Sequence, residues 1–346
     1  MKTHRVARDA PLDGLVGMVL CHDVGDRGMH LRKGRVLEPS DLATLRSAPW
    51  NELHVIEIER GDVHEDEASR RLAAASAGDG VTLHSPSAGH WPLVATRRGV
   101  LDVSVDALRR ANTFDGICIY TSYDGQIVDV GEQVARAKVA PLVIDERLVC
   151  GAERAAAEVR GLLRVRPFQA RRVGVVAAET LGEGAPARIR AALTEKVSWF
   201  GSTLLEPAFV PPDEDALLSA IGNFTALGAE LLFVAGMKPM DPLDPCWLAL
   251  RRFGVTIERF GVPAHPGTLF WIAWHGDIPI LGVPTCGLFS QATVFDLVLP
   301  RILAGERVGR VELAALGHGG LLGRDMAFRF PPYRGGGAAR GAVRDE

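Results

Sequence analysis

Cysteine and aromatic residues are scarce in this chain of 346 residues, and the cysteines form no motif. The five cysteines stand singly at positions 21, 118, 150, 246 and 286, without a C-x-x-C pair. An odd number of dispersed cysteines argues against a disulfide framework and against a zinc site. Aromatic residues make up 6% of the chain and hydrophobic residues 47%, as in an ordinary globular protein.

The chain also lacks a strong charge excess and a long apolar run. Its 39 Lys and Arg residues nearly balance its 42 Asp and Glu residues, for a net charge of −3. Such a balance gives no bulk attraction to nucleic acid or to an anionic membrane. No segment reaches the roughly 18 consecutive apolar residues of a membrane span, and the start MKTHRVARDAPLDG has no apolar leader pattern. We therefore expect a cytoplasmic protein with neither nucleic-acid nor membrane partners.

Several catalytic motifs are missing as well. The sequence contains no Walker loop, no G-x-S-x-G elbow and no G-x-G-x-x-G segment after a strand. Kinase, hydrolase and dinucleotide-dehydrogenase functions therefore lack support from the sequence.

Residues 1–168 favour a smaller, β-rich α+β region. Short apolar runs such as LVGMVL, LHVIEI and GICIYT suit strands. Three segments indicate helices: PSDLATLRSA, then DEASRRLAAASAG after a capping box at Asp62 and Glu65, and then ERLVCGAERAAAEVRG. The basic, proline-containing stretch RVRPFQARR that follows predicts a domain boundary near residue 168.

Residues 169–330 predict an α/β domain with a three-layer, mainly parallel sheet. Strand-like runs, beginning with VGVVAA and continuing through STLLEPAFV, AELLFVAG, TLFWIAW and IPILGVP, are mostly separated by helix-like segments. This alternation is typical of right-handed crossovers with helices on both faces of a sheet. Residues 331–346, with three consecutive glycines and few apolar side chains, predict a disordered tail.

The carboxyl ends of these strands are the expected ligand site. Ligands of open parallel sheets bind beyond those ends, where glycine turns and helix N-termini accommodate phosphate. The candidate contacts are Glu179, Thr180, Gly236, Met237, Lys238, Asp241, Asp244, Pro266, Gly267, Gly282, Pro284 and Thr285. Gly236 and Gly282 allow close approach of the backbone, and Lys238 can neutralise a phosphate.

Asp241 and Asp244 admit three interpretations. Carboxylates at a helix start can cap amides, hold magnesium, or bind the N–H groups of a heterocycle. Asp244 directly precedes Pro245, the kind of residue that favours the first helical position, so capping alone explains it as well as function does. Asp241 has no such structural duty, so we favour a functional role.

Three other residues have a functional and a structural interpretation. Cys286 at a helix start can be a reactive thiol, but a small buried filler is the better interpretation. His265 is a ligand-contact candidate without an identifiable carboxylate partner. His64, beside three acidic residues, could bind a metal, but it lacks the i, i+4 spacing of H-E-x-x-H, which favours a structural role.

Region 173–305 resembles the molybdopterin-binding domain of molybdopterin adenylyltransferases and of molybdenum insertases (molybdopterin molybdenumtransferases). The likeness rests on Ala235-Gly236-Met237 followed by Asp241, on Pro266-Gly267, and on the segment GVPTC from Gly282 to Cys286. The helix FDLVLPR is similar to one in insertase-like proteins. A weaker likeness in GMVLCHDV, RKGRVLEPSDLATL and LHVIEI extends to the N-terminal region.

The resemblance implies binding of molybdopterin or molybdenum cofactor, as a pterin phosphate, during cofactor biosynthesis or insertion. An active enzyme would be molybdenumtransferase-like and would handle magnesium and molybdate, with Asp241 and Asp244 as catalytic residues and metal ligands. The alternative is a non-catalytic carrier or chaperone that delivers cofactor to a molybdenum enzyme. Family members also commonly associate through their other regions, which implies a homo-oligomer.

Two departures from the family pattern bear on catalysis. The loop after the first strand reads Ala177-Ala178-Glu179-Thr180 where the family usually has Thr-Gly-Asp-Glu or Thr-Gly-Ser-Glu, and Met237 replaces a second glycine. Binding survives such changes better than transition-state stabilisation does, because catalysis requires closer placement of groups. The sequence therefore supports a ligand site more strongly than a reaction.

Overall fold

The computed structural model describes residues 1–26, 29–86, 89–178, 184–283 and 293–333, and these form a mixed α/β protein. Within these ranges, no helix is both long enough and apolar enough to cross a lipid bilayer. Successive stretches of the chain form separate hydrophobic cores, described below from the N-terminus onward.

The first core is built by residues 1–57. Its elements are β1 Lys2–Ala7, β2 Val19–Leu20, β3 Val24–Asp26, β4 Met29–Leu31, α1 Asp41–Ser47 and β5 Glu52–Glu57. β5 lies between β1 and β2 in an antiparallel sheet, and β3 and β4 form a separate hairpin. Leu45 of α1 packs with Leu53 and Val55 of β5 in the buried cluster.

The second core is built by residues 62–167. Its elements are β6 Asp62–His64, α2 Glu65–Ser76, β7 Val81–Leu83, β8 Trp91–Ala95, β9 Gly99–Val103, α3 Val105–Ala111, β10 Ile117–Thr121, β11 Ile127–Val128, β12 Gln133–Val139, β13 Val143–Asp145, α4 Glu146–Ala157 and β14 Leu163–Pro167. The main sheets have the orders β10-β12-β8-β7 and β11-β9-β14. Buried side chains of α2 and α4, such as Leu72 and Val149, cover them.

The start of α2 differs from the sequence prediction. His64, not Asp62, is the N-cap: its Nδ1 accepts a hydrogen bond from the Asp66 amide at 3.3 Å. Asp62 belongs to β6, and its carboxylate accepts the Glu59 amide at 2.9 Å and pairs with the N-terminal ammonium at 2.7 Å. The predicted capping box was therefore wrong, because the pairing of β6 with β13, with Asp62 opposite Asp145, holds Asp62 in extended backbone.

The third region contains the largest sheet. Its elements are β15 Arg172–Ala177, α5 Ala185–Trp199, β16 Thr203–Leu204, β17 Ala208–Phe209, α6 Glu214–Ala226, β18 Leu231–Ala235, α7 Pro245–Arg252, β19 Thr256–Phe260, β20 Trp271–His275, β21 Ile278–Val283, α8 Val294–Leu303 and α9 Arg310–Ala315. The sheet order is β16-β15-β18-β21-β20-β19, with β17 also beside β15.

Most neighbouring strands of this sheet are parallel, and β20 is the exception. β15, β18 and β21 pair in parallel, whereas β20 pairs antiparallel with both β21 and β19. Only Gly276 and Asp277 separate β20 from β21. A two-residue connection makes a hairpin and cannot make a parallel crossover, which explains the reversed strand.

Successive residues of the central strands supply opposite faces of the sheet. Phe233 lies in the cluster that contains Leu193 of α5 and Phe295 of α8. Its neighbour Leu232 lies in the cluster that contains Ile221 of α6 and Leu250 of α7. Both faces are buried, which explains why these strands are apolar at every position and not at alternate ones.

Two segments depart in detail from the sequence prediction. STLLEPAFV is two short strands, β16 and β17, separated by residues 205–207. Pro207 there has no amide hydrogen to donate to a continuous strand ladder.

The predicted disordered tail began too early, because Tyr333 is only 7% exposed and packs with Trp199 and Phe200. Residues 334–346 lie outside the described residues.

Candidate functional site

Three parallel strands end in register at one edge of the large sheet. Ala177 of β15 pairs with Ala235 of β18, and Ala235 pairs with Val283 of β21. We call this row of three strand ends, together with the segments that follow them, the carboxyl edge. In open parallel sheets this edge is where ligands bind, because the strand-to-helix connections all open there.

The β18–α7 loop, residues 236–244, follows the central strand at this edge. Gly236 has φ of 84°, in the left-handed region that favours glycine, and it turns the chain away from the sheet. The Asp244 carboxylate then closes the loop. Its Oδ2 accepts the Lys238 amide at 2.8 Å, and its Oδ1 accepts the Cys246 amide at 2.9 Å. Asp244 is therefore the N-cap of α7, which confirms the capping interpretation.

Further hydrogen bonds fasten the loop backbone to α7. The Trp247 indole donates to the Pro239 carbonyl at 3.2 Å, and Arg251 donates through Nη2 to the Pro242 carbonyl at 2.8 Å. The loop backbone is therefore held in place by α7, and its exposed side chains project from a fixed base.

Lys238 and Asp241 are the two exposed charged side chains of this loop. One carboxylate oxygen of Asp241 accepts the Leu243 amide at 2.9 Å. Within the described part of the chain, its other oxygen and the Lys238 ammonium have no hydrogen-bond or ion-pair partner. A ligand can therefore reach one cation and one anionic acceptor on the same loop.

Met237 and Gly282 have packing roles beneath the edge. The Trp271 indole nitrogen donates to the Met237 sulfur at 2.9 Å, and Trp271 is only 1% exposed. Trp271 faces Gly282 across the β20–β21 pair, and a Cβ on Gly282 would lie 1.9 Å from the indole nitrogen. Gly282 therefore makes room for Trp271, whereas the sequence predicted room for a ligand.

The Pro266-Gly267 turn reaches the same edge from β20. The Pro266 carbonyl accepts the Val294 amide at 3.2 Å, at the start of α8. Gly267 has φ of 114°, and a Cβ there would lie 2.8 Å from the Val294 nitrogen. His265, joined to Pro266 by a cis bond, is exposed, and its side chain has no hydrogen-bond partner among the described residues.

A buried ion pair fixes the first turn of α8. Asp296 is fully buried, and its Oδ1 lies 2.7 Å from the Lys196 ammonium of α5. Its Oδ2 accepts the Thr293 hydroxyl at 3.1 Å. Burial raises the pKa of Asp296, and Lys196 opposes that rise. Sequence reasoning missed this pair, although Lys196 falls on the apolar stripe of Ile189, Leu193 and Val197, where a lysine needs a buried partner.

Some predicted contacts lie outside the described residues, in the segments after β15 and β21. They are Glu179, Thr180, Pro284, Thr285 and the candidate thiol Cys286. In the described ranges, no group of three or more His, Cys, Asp or Glu side chains could hold a metal ion. Asp241 and Asp244 alone do not form such a group.

Comparison with known proteins gives limited similarity. A family model described as a domain of unknown function (DUF8806) matches residues 10–57. Among the curated proteins, no significant match is found.

Several solved structures are similar at low identity. The molybdopterin biosynthesis MoeA protein of Pyrococcus horikosii is 12% identical with a TM-score of 0.30, covering 69% of this chain and 78% of its own. MoaB of Thermus thermophilus, a molybdopterin biosynthesis enzyme, is 15% identical with a TM-score of 0.28, covering 39% and 98%. CinA of Thermoplasma acidophilum, of unknown function, is 13% identical with a TM-score of 0.27, covering 34% and 90%. Identities and TM-scores this low give no evidence that this chain shares the activity of any of these proteins.

Proposed function

We propose that the carboxyl edge binds molybdopterin or molybdenum cofactor through its phosphorylated pterin, in cofactor biosynthesis or insertion. The observation that carries the proposal is the register of Ala177, Ala235 and Val283, with the β18–α7 loop following the central strand. The ligand class is that of the family which the sequence resembles. The structure supports the proposal by supplying a fixed loop with an exposed cation and an exposed carboxylate.

Each exposed group suits one part of such a ligand. The Lys238 ammonium can pair with the phosphate, and the backbone turn at Gly236 lets the ligand approach. The free oxygen of Asp241 can accept N–H groups of the pterin ring, which a carboxylate binds well. In this proposal Pro266 and Gly267 border the ligand, and Glu179, Thr180, Pro284 and Thr285 contact it from the two adjoining segments.

The geometry of Asp244 supports a capping role and not the proposed role of metal ligand. Asp244 is 8% exposed, and each of its oxygens already accepts a backbone amide. Magnesium is usually bound by one or two carboxylates together with water and substrate phosphates, so one accessible carboxylate at this loop is compatible with an insertase and with the alternative carrier or chaperone. At this loop Asp241 would be the accessible carboxylate for magnesium. Molybdate is an anion, so it would pair with the Lys238 ammonium.

The remaining parts of the proposal concern its cellular setting. The protein would act in the cytoplasm as a homo-oligomer and deliver cofactor to a molybdenum enzyme. Residues 1–168 would form the docking region and residues 169–330 the binding domain.

Titration of the purified full chain with molybdopterin tests the proposal. Saturable binding at micromolar ligand is expected, and no binding in that range contradicts the function. A second assay follows molybdate-dependent conversion of adenylylated molybdopterin. A carrier gives binding without turnover, whereas turnover would establish an insertase and remove the carrier alternative.

A further inference from the structure

A polar cleft lies between the first and second cores and shares no residue with the carboxyl edge. Its volume is ≈ 920 Å³, within the size range of small-molecule sites. One wall comes from the segment after β4, and the other comes from the start of α2 and the end of β12.

The lining of this cleft carries no net charge. Its four cationic side chains are Arg32, Lys33, Arg35 and Lys138. Its four carboxylates are Asp23, Glu38, Glu65 and Asp66. A balanced lining gives no overall attraction to a bare anion or to a bare cation. A ligand that suits the cleft therefore carries charges of both signs or none.

Some of these charges already have partners within the protein. Arg35 lies 2.7 Å from Asp41 and 3.6 Å from Glu38. Asp23 and Asp66 each have a histidine nearby, at 3.8 and 3.7 Å. The charged side chains of the lining without a hydrogen bond or an ion pair to any described residue are Arg32, Lys33, Lys138 and Glu65. Both signs of charge are therefore open to a ligand.

Two glycines make room for the Glu65 carboxylate beside Lys138. A Cβ on Gly34 would lie 2.5 Å from Oε1 of Glu65. A Cβ on Gly89 would lie 3.4 Å from Oε2 of Glu65 and 3.9 Å from the Lys138 ammonium. Both charged side chains are half-buried. Burial raises the pKa of Glu65, and the charge of Lys138 opposes that rise. An anion and a cation thus approach one point of the cleft without pairing, so one small ligand can contact both.

His64 holds the two walls of the cleft together. Its Nε2 lies 2.7 Å from the Gly34 carbonyl on one wall, and its Nδ1 accepts the Asp66 amide on the other. Because Nδ1 accepts and a carbonyl can only accept, Nε2 must carry the hydrogen. The histidine considered as a metal candidate therefore braces the cleft, next to the Glu65 carboxylate.

We propose that this cleft binds a zwitterion, namely a free α-amino acid. The ammonium group of the ligand donates to the Glu65 carboxylate, and its carboxylate accepts from the Lys138 ammonium. An α-amino acid bears both charged groups on one carbon, so they can contact two side chains that approach the same point. Glu65 disfavours a bare anion there, and Lys138 disfavours a bare cation. The site is independent of the pterin function proposed for the carboxyl edge.

Isothermal titration of the full chain with three related probes tests the site. L-glutamine is a zwitterion with a neutral, polar side chain; L-glutaminamide lacks its carboxylate charge, and N-acetyl-L-glutamine lacks its ammonium charge. We expect saturable binding of L-glutamine with a dissociation constant at or below about 10 mM. The other two probes should bind about tenfold or more weakly, because each loses one charge-assisted hydrogen bond.

Two variants should change the preference among the probes in opposite directions. Glu65→Gln should weaken L-glutamine about tenfold and strengthen N-acetyl-L-glutamine, because the charge that repels this anion is removed. Lys138→Met should weaken L-glutamine by a similar factor and strengthen L-glutaminamide, because the charge that repels this cation is removed. A folding defect would weaken all three probes alike, and circular dichroism with thermal unfolding establishes that each variant folds.

The control is Arg154→Met, which removes an exposed arginine of α4 outside the cleft and should leave L-glutamine binding unchanged. Absence of saturable L-glutamine binding to the wild-type chain would overturn the proposal. It would also be overturned if the wild type bound all three probes equally, or if Glu65→Gln and Lys138→Met bound L-glutamine as the wild type does. Loss of L-glutamine binding in the Arg154 variant would place the site elsewhere and contradict the proposal as well.

Discussion

The ammonium of Lys196 lies 2.7 Å from the carboxylate of Asp296, and both residues are buried in the largest core. The pair joins α5 to the first turn of α8, and that turn contacts the Pro266-Gly267 turn through the Val294 amide. The ion pair therefore links the packing of two helices to the position of the carboxyl edge.

Removing one partner of this pair should be strongly destabilising. Lys196→Met leaves the Asp296 carboxylate buried without its cation, and we expect a loss of about 3–5 kcal/mol in the free energy of unfolding. Urea denaturation measures it. The double variant Lys196→Met with Asp296→Leu should recover a large part of the loss, since no charge then stays buried. Equal losses in the single and double variants would contradict this account.

A second ion-pair cluster joins the second core to the C-terminal helix region. Glu306 lies 2.6 Å from Arg166 of β14 and 3.0 Å from Nε of Arg301 in α8. Burial alone raises the pKa of Glu306, but the hydrogen bonds and charges of Arg301 and Arg166 outweigh it and hold the pKa below the ordinary value of 4.5.

The stabilisation from Glu306 should therefore depend on pH in one direction. It is present in full above the ordinary pKa of 4.5 and is lost as pH falls through the lower folded-state value. Glu306→Gln should cost about 1–3 kcal/mol near pH 7, and its difference from wild type should shrink below about pH 4.5. Denaturation at several pH values measures this. A difference that grows on acidification would refute the assignment.

Gly282 should tolerate no side chain. Gly282→Ala places a Cβ 1.9 Å from the Trp271 indole nitrogen, so Trp271 must move within a close-packed layer. We expect a loss of about 1–3 kcal/mol, the usual range for overpacking. Gly14→Ala is the matched control, because nothing lies within 4 Å of its added Cβ. Similar melting temperatures for the two variants would rule out the packing role of Gly282.

Asp244 should matter to stability more than an ordinary helix cap. Asp244→Ala removes the cap of α7 and the bond that closes the β18–α7 loop. Asp213→Ala removes the cap of α6, where both hydrogen bonds go to the first turn of the same helix. The Asp213 variant should lose about 1 kcal/mol and the Asp244 variant about 2 kcal/mol. If chemical denaturation ranks them the other way, Asp244 does not hold the loop.

Local signals in the sequence predicted much of this fold. The Asp244-Pro245 pair indicates a helix start because aspartate accepts amide hydrogen bonds and proline fits the first helical position, and α7 begins there. The apolar strands β15, β18 and β21 were recognisable because a sheet buried on both faces needs apolar residues at every position. Strand ends could therefore be assigned, and with them the expected edge.

Contacts between distant residues could not be predicted from the same signals. The sequence assigned Gly282 to a ligand because a strand-end glycine permits close approach, but strand register places Trp271 over it. Lys196 and Asp296 lie 100 residues apart, so no local pattern joins them. His64 became the cap because pairing with β13 holds Asp62 in a strand. The helix α3 was missed because Val105–Ala111 is too short to show a helical period.

The affinity of site variants for molybdopterin tests the central claim most directly. Lys238→Met and Asp241→Asn change exposed side chains, so each should bind molybdopterin about tenfold more weakly while keeping the wild-type melting temperature. Lys138→Met, in β12 of the second core, should bind molybdopterin as the wild type does. If wild-type affinity survives in both carboxyl-edge variants, the β18–α7 loop is not the binding site and the account is contradicted.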